Sequence, residues 1–375
     1  MKAVISLACV LAAASGVVQA QSRVSIYGLV DLSYQHLRSG ESSPMRGGTL
    51  DRLADGVTFG PGSRLGFTAL EDLGNGLMAS ANLEMGLNTD TGTLANGGRG
   101  FGRHAFVSLL SPSWGEIRLG RQYTMHDEVM RLTNPFTNAT ILNPGANANY
   151  TNGPVPLFID TPRIDNAIHY LSPKFGPFAF QVLVAPGEGL VDRYHGIKLA
   201  YSDGPLNAAT SYELSKARAA TPGVSVAGDS VNKIFEAGAN YDFGAFRLFG
   251  GYQRGSKLTP GSSGIITEPT ATNGGVGTQI SSLQLPGLGT PANALTAYTL
   301  GASMPVGQFL LGTNYTRTTY ESTLARKSLG RAGVGAMYFL SKTAIFYTAL
   351  GAHTGSLKEF VNEKIVFQAG LRKIF

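Results

Sequence analysis

Alternation of apolar and polar residues along nearly the whole chain is the feature that most constrains its fold. In residues 24–35 every second residue from Val24 is apolar or glycine, and residues 77–88 repeat this pattern from Leu77. Successive side chains of a β-strand point to opposite faces, so this period predicts strands with one apolar and one mixed face. Segments of this length, about ten residues, are long enough for a tilted strand to cross a bilayer.

The same period predicts about sixteen strands, an even number as in bacterial outer-membrane barrels. They are expected near residues 24–35, 63–71, 77–88, 103–110, 115–123, 163–172, 177–186, 193–202, 205–215, 232–242, 244–255, 294–304, 307–319, 328–340, 343–352 and 363–375. Short turns alternate with long polar connections at 37–62, 124–162, 216–231 and 256–293. Short turns on one rim and long loops on the other are typical of such barrels.

A soluble β-sandwich or propeller is the alternative. Small residues such as Gly333, Gly335, Ala336 and Ala239 provide little volume for the core of such a fold, and two further features argue against it. Charged residues make up 14% of the chain, against roughly 25% in soluble domains. Aromatic residues such as Tyr27, Tyr241 and Phe375 lie toward strand ends, as interfacial girdles do. The sequence therefore predicts an all-β protein, a 16-stranded antiparallel transmembrane β-barrel.

The first residues have the pattern of a secretory signal peptide. Residues 1–20 contain a positive start at Lys2, an apolar run and small residues up to Ala20. Cleavage near Ala20 leaves 21–375 as the barrel domain, and it removes Cys9, the one cysteine of the chain. A buried N-terminal helix is the alternative interpretation of this segment.

Charge and motifs argue against several other classes of protein. Removing Lys2 leaves 29 basic and 24 acidic residues, a charge of +5 that does not indicate a nucleic-acid partner. The glycine-rich stretch 97–103 lacks the lysine and the helical context of a phosphate-binding loop. The six histidines show no metal-ligand spacing, and no G-x-S-x-G nucleophile motif occurs. We therefore expect no enzyme activity, no cofactor and no metal.

Five stretches of the chain form a recognisable set. They are "SIYGLVDLSY" after the signal peptide, "SRLGFTALEDLGNGLMASANLE" (63–84), "GRHAFVSLLSPSWGEIRLGRQY" (102–123), "RIDNAIHYLSP" (163–173) and the final "FQAGLRKIF". In this order they resemble the general (Gram-negative) porins of β-proteobacteria, the trimeric sixteen-stranded porins of the Burkholderia, Bordetella and Neisseria type. Each stretch alone is a weak pattern, but together they cover the chain from end to end.

This resemblance implies a location and a set of partners. It implies a homotrimer in the lipid of the outer membrane that lets small hydrophilic solutes and ions diffuse passively. It also implies that the barrel assembly machinery reads the C-terminal strand through Phe375. Anchoring of Phe375 at the membrane interface is the alternative role for this residue.

The resemblance also implies a constriction loop. The segment 124–162 corresponds to the third external loop, which folds into the channel in this family; an exposed loop with no role in conduction is the alternative. The family often has an aspartate near the position of Asn134, so this chain lacks an acid there unless Asp127 or Glu128 substitutes.

By motif position, four residues correspond to the family's constriction charges: Arg64, Arg103, Arg163 and the opposing Glu84. Alternation places Arg64 and Glu84 in the lumen, because their apolar neighbours form the lipid face. Strict alternation turns Arg103 outward, but its position at the start of a strand allows it to turn inward.

Alternation adds further residues to the predicted lumen. It predicts that Arg118 and His104 face inward, and that Arg163, Asp165 and His169 share the inner face of their strand. Three arginines against one or two acids favour anions in a narrow site. Weak selectivity, with the charges screened by salt, is the alternative.

Three functions remain open from the sequence. The first is a diffusion porin for small anionic or neutral solutes, with a preference for anions. The second is a substrate-specific channel for organic acids or phosphate. The third is a barrel that acts mainly through its surface loops 37–62 and 256–293.

Overall fold

A computed structural model describes most of the chain. The described residues are 23–55, 62–136, 140–146, 148–150, 153–159, 163–186, 193–216, 231–258, 285–290 and 292–375. The predicted signal peptide, residues 1–20, lies outside them, as do most of the predicted loops 216–231 and 256–293.

Strands make up most of the described structure. In chain order they are β1 (Arg23–Arg38), β2 (Thr49–Asp55), β3 (Ser63–Gly74), β4 (Leu77–Asn88), β5 (Thr93–Leu94), β6 (His104–Ser111), β7 (Gly115–Tyr123), β8 (Ala148–Tyr150), β9 (Gly153–Val155), β10 (Arg163–Leu171), β11 (Phe178–Ala185), β12 (Tyr194–Asp203), β13 (Leu206–Lys216), β14 (Val231–Asp242), β15 (Arg247–Ser256), β16 (Ala294–Val306), β17 (Phe309–Glu321), β18 (Arg326–Phe339), β19 (Ala344–Thr354) and β20 (Ile365–Ile374). One α-helix, α1 (Met125–Arg131), follows β7. Among the described residues, no helix has the length and apolar character to cross a membrane.

Sixteen of these strands form one closed antiparallel barrel. Each pairs with the next along the chain, and β7 pairs with β10 across the long segment between them. The ring closes between β1 and β20, from the pair Leu29–Ile374 to the pair Arg38–Ile365. The four remaining strands are short additions: β2 and β5 extend the sheet, and β8 pairs with β9 alone. The predicted 16-stranded antiparallel barrel is confirmed.

The two faces of the wall differ as the alternation predicts. In β20, Ile365, Phe367 and Leu371 are exposed on the outer face, while Gln368 and Arg372, of the opposite parity, are buried on the inner face. A charged arginine on the lipid face at mid-membrane costs about 2–4 kcal/mol, which favours placing polar side chains inside. The apolar outer face is therefore the surface that meets lipid.

The last residue completes the closure of the barrel. The Phe375 amide donates a hydrogen bond to the Gly28 carbonyl (3.0 Å), and the Gly28 amide donates one to the Phe375 carbonyl (2.9 Å). A Cβ atom at Gly28 would lie 2.6 Å from a ring carbon of Phe375 and 2.6 Å from the carbonyl oxygen of Arg64. Only glycine therefore lets the terminal ring pack against β1 at this distance.

Gly28→Ala is expected to destabilise the folded barrel by about 1–3 kcal/mol, because the added methyl group overpacks the β1–β20 junction. Thermal unfolding of the purified barrel, followed by circular dichroism, measures this effect. Gly250→Ala is the matched control, since a Cβ there would lie no closer than 3.7 Å to the nearest atom, of Leu300. Equal midpoints for the two variants would contradict the packing argument.

The prediction of one continuous loop over 37–62 is wrong. Strand β1 continues to Arg38, and β2 (Thr49–Asp55) pairs with its second half, from Leu32–Asp55 to Arg38–Thr49. The first half of β1 pairs instead with β3. Thr49 to Asp55 forms a strand because the end of β1 offers it a free edge, which sequence alternation alone does not reveal.

Candidate functional site

The segment after β7 lies inside the barrel. It contains α1 and the β8–β9 hairpin, and its apolar side chains Met125, Phe136, Leu142 and Phe158 are fully buried. Helix α1 packs against β12, β13 and β14. We call the described residues of the range 124–159 the inner loop.

Glycines in the wall make room for the inner loop. Phe136 lies against Gly312 and Gly335, where a Cβ atom would come within 2.5 and 2.8 Å of its ring. Leu142 lies against Gly333, and Thr133, Ile141 and Pro135 lie in the same way against Gly238, Gly251, Gly351 and Gly301. The inner faces of β14 to β19 therefore form a groove, which we call the glycine groove, that holds the inner loop close to the wall backbone.

Polar side chains of the wall bond to the backbone of the inner loop. The Arg331 guanidinium donates to the carbonyls of Asn143 and Ala146, the second at 2.8 Å. The Asn240 amide donates to the Leu132 carbonyl (3.0 Å), and Tyr320 donates to the Pro156 carbonyl. Each such bond contributes about 1 kcal/mol net, so several together fix the path of the loop. Further bonds of this kind come from Gln253, Thr318 and Gln368.

Charges on α1 are paired. Lys198 of β12 pairs with Glu128, and Arg131 pairs with Asp127 one turn away (2.7 Å). Burial is the main influence on both carboxyl groups. It raises the pKa of Asp127, whereas at Glu128 the charge and the hydrogen bond of the Lys198 ammonium, together with other nearby positive groups, outweigh it and hold the pKa below its usual range. Neither acid is therefore an isolated charge in the channel.

The predicted constriction charges meet on the wall. The Arg103 guanidinium contacts the Glu84 carboxylate (Nε–Oε1 2.5 Å), and Arg64 approaches the other oxygen (Nε–Oε2 3.8 Å). Tyr27 donates a hydrogen bond to the same carboxylate (2.9 Å). Arg103 thus turns inward despite strict alternation, because it precedes β6 and lies outside the β4–β6 register, which begins at the pair Glu84–His104.

Tyr123 joins three of the arginines. Arg103 donates to its hydroxyl oxygen (2.7 Å), Arg163 donates to the same atom (3.4 Å), and the guanidinium of Arg131 lies 4.1 Å from the ring centre. With Arg64, these residues form what we call the arginine cluster. Side-chain exposure divides it: Arg64 and Arg131 are 27% and 42% exposed, but Arg103 is 6% exposed. Water and solutes therefore meet Arg64 and Arg131 first.

The other predicted site residues have different surroundings. The His104 ring lies beside Tyr123 (4.6 Å between ring centres) and is largely buried. Arg118 pairs with Glu116 (2.8 Å) further along the wall. Asn134 is buried within the inner loop, where its amide donates to Asn143 (3.1 Å) and its carbonyl accepts from the Phe136 amide (2.9 Å). The contacts of Asn134 thus shape the loop.

The predicted alternation in β10 is wrong at Asp165. Two residues, Asp165 and Asn166, oppose Arg121 of β7 in a β-bulge, and Asn166 has a positive φ of 55°. Asp165 pairs with Arg121 (2.7 Å) and Arg99 (3.0 Å), apart from Arg163. The bulge shifts the parity of the strand, so that Ile164 is buried whereas Ile168 is exposed.

Sequence reasoning missed Arg131 and Tyr123. A signal for Arg131 exists: Asp127 stands four residues before it, which is the spacing of a helical ion pair. No comparable signal marks Tyr123, because its partners come from separate parts of the chain.

Comparison with known proteins identifies the family of this barrel. A model of the Gram-negative porin family matches residues 6–356. The chain belongs to the Gram-negative porin family. This porin is 29% identical over 336 residues to an outer membrane porin protein of Bordetella pertussis, with 82% of each chain covered. It is 33% identical over 258 residues to outer membrane porin protein 32 of Delftia acidovorans, with 66% of this chain and 68% of that protein covered.

The solved structure of the anion-selective porin from Comamonas acidovorans has the same fold. The TM-score is 0.69 and the sequence identity 23%, and the match covers 95% of this chain and all of that one (100%). Family and fold indicate a channel rather than an enzyme. This porin forms a channel for small solutes in the outer membrane of a Gram-negative cell.

Proposed function

We propose that this porin passes small anions in preference to cations, and that the arginine cluster sets this preference. Its excess of positive charge supports the proposal. Among the described residues around Tyr123 and Glu84, four guanidinium groups face two carboxylates, Glu84 and Asp127. Passive diffusion of small solutes through the lumen requires no binding site in addition to these charges.

The members of the cluster contribute differently to the proposed selectivity. Arg103 and Glu84 compensate each other in a buried pair, so they position the cluster more than they attract ions. Arg64 and Arg131 meet the water of the lumen, where low-dielectric walls strengthen the field of each charge. A mobile anion there is favoured, and a cation is repelled.

Arg64→Ala plus Arg131→Ala is expected to lower the anion-to-cation permeability ratio. Two unit charges 4 Å apart interact by about 1–4 kcal/mol between aqueous and near-surface dielectric constants, so a change of roughly fivefold or more is expected. Reversal potentials in a planar bilayer under a KCl gradient measure this ratio.

Arg326→Ala is the matched control, because Arg326 is exposed at the start of β18, outside the arginine cluster. An unchanged ratio in the double variant, or an equal change in the control, would show that other charges control selectivity.

We also propose that this porin assembles as a homotrimer, and that the barrel assembly machinery recognises its last strand through Phe375. The resemblance to trimeric porins supports the first statement. The alternation of β20 up to the final residues supports the second. Native mass spectrometry of the purified porin tests the oligomeric state, and a monomeric mass would contradict it.

A further inference from the structure

One aromatic ring of the wall faces the water of the lumen. Phe106 lies in β6, where Val107 and Leu109 are exposed on the outer face and Ser108 is buried on the inner face. By this alternation Phe106 points into the lumen, and its side chain is only half-buried. Side chains that face the channel of a membrane barrel are ordinarily polar. Phe106 therefore gives the channel an apolar surface that the passage of inorganic ions does not require.

Two contacts fix the orientation of this ring. The guanidinium carbon of Arg118 lies 5.0 Å from the ring centre of Phe106. The His104 ring meets Phe106 edge to face, with 5.4 Å between the ring centres. Glu116 accepts two hydrogen bonds from Arg118 (2.9 and 2.8 Å) and holds the guanidinium in place. A solute that contacts Phe106 therefore meets a surface that is already ordered, which lowers the entropic cost of binding.

The strands on either side leave the Phe106 ring accessible. On β7 its partner is Gly120, which has no side chain. On β4 its partner is Asn82. The Asn82 amide donates hydrogen bonds to Thr68 (3.0 Å) and to the Tyr27 hydroxyl oxygen (3.1 Å). Because β3 and β1 lie on the far side of β4 from β6, these bonds direct Asn82 away from Phe106.

The ring lies close to the arginine cluster. Arg64 approaches the carboxylate of Glu84 (3.8 Å). Asn82, the partner of Phe106, is the next inward residue of β4, about 7 Å along the strand from Glu84. This separation is close to the length of a benzoate ion. A solute of that length can therefore contact Arg64 with its carboxylate while its ring contacts Phe106.

We propose that Phe106 makes this porin favour aromatic carboxylates of the benzoate class over non-aromatic carboxylates of equal size. The inference rests on the proposed anion preference, and it adds a specificity-determining residue outside the arginine cluster. The carboxylate of the solute contacts Arg64, and its ring packs against Phe106. Two aromatic rings attract each other beyond the area that they bury, and a saturated ring lacks this attraction. The Arg118 guanidinium adds to the preference, because cations attract the faces of aromatic rings.

Block of the KCl current through single channels tests this proposal. The two probes are benzoate and cyclohexanecarboxylate, which have the same charge at neutral pH and a similar size but differ in aromatic character. The concentration that gives half-maximal block reports the apparent affinity of each probe. In the parent porin we expect benzoate to block at a concentration about threefold to tenfold lower than cyclohexanecarboxylate does.

Substitutions assign the preference to one residue. Phe106→Leu and Phe106→Met keep an apolar side chain but remove the ring, so both should lose the preference for benzoate. Phe106→Tyr keeps the ring and should retain the preference. Arg64→Ala should weaken the block by both probes to the same extent, because their charge is the same. Phe346→Leu is the matched control, since Phe346 is exposed on the outer face of β19, and it should behave as the parent does.

The outcomes separate this inference from the proposed function. The reversal potential of the parent porin under a KCl gradient is measured in the same bilayers. If the parent prefers anions, equal block by the two probes would overturn this inference alone. An unchanged benzoate preference in both ring-less variants, or an equal loss in Phe346→Leu, would overturn it as well. A parent porin that prefers cations would contradict the proposed function, and this inference with it.

Discussion

Gly312→Leu is expected to lower the single-channel conductance of this porin. A Cβ atom at Gly312 would lie 2.5 Å from the Phe136 ring, and the rest of a leucine side chain would fill the glycine groove. The inner loop must then move away from this wall, further into the lumen, and narrow the path for ions. Overpacking of this kind costs about 1–3 kcal/mol, so the barrel itself is expected to remain folded.

Conductance in planar bilayers at fixed salt measures this effect, and Gly250→Leu supplies the control. Gly250 also lies in the wall, but a Cβ atom there meets only Leu300, at 3.7 Å, on the outer face. Phe136→Ala added to Gly312→Leu should restore conductance toward the parent value, because the ring and the new side chain compete for one space. Equal conductance in the parent and Gly312→Leu would mean that the inner loop does not limit the current.

Arg103→Ala is expected to lower the stability of the folded barrel by more than the overpacking in Gly312→Leu does. Its main effect is on stability and not on ion selectivity. It leaves the buried carboxylate of Glu84 with Arg64 at 3.8 Å as its remaining cation. Removing one partner of a buried ion pair costs about 3–5 kcal/mol, because an uncompensated charge stays inside. A lower thermal midpoint of the purified barrel measures this loss.

A second substitution separates the effect of the uncompensated Glu84 carboxylate from the effect of losing the packing of the Arg103 side chain. Glu84→Gln added to Arg103→Ala removes the uncompensated carboxylate and should recover much of the lost stability. The matched single variant Arg118→Ala, whose pair with Glu116 is more exposed, should cost less. If Arg103→Ala and the double variant unfold at the same temperature, the uncompensated carboxylate of Glu84 is not the cause of the lost stability.

Most of the fold could be predicted from the sequence, because a membrane barrel repeats one simple pattern. Residues 24–35 and 77–88 alternate because each strand has one face in lipid and the other in water. The alternation does not predict the structure where a strand lies outside the wall between lipid and water, or where a bulge interrupts the strand. Thr49 to Asp55 pairs with the end of β1 beyond the barrel wall, and Asp165 lies in a bulge that shifts parity by one residue.

The arginine cluster could be predicted only in part. Resemblance located Arg64, Arg103, Arg163 and Glu84, and the structure brings these four together. Arg131 joins them through the path of the inner loop. That path depends on contacts between distant parts of the chain, such as Phe136 with Gly312, which no local pattern encodes.

The junction between β1 and β20 has a consequence for how the barrel forms. These two strands are neighbours in the ring but lie at opposite ends of the barrel sequence, so their pairing closes the longest loop that the chain can make. Until it forms, the growing sheet has two open edges, each able to pair with another chain. Folding therefore has to keep both edges apart from other molecules until the final strand pairs with the first.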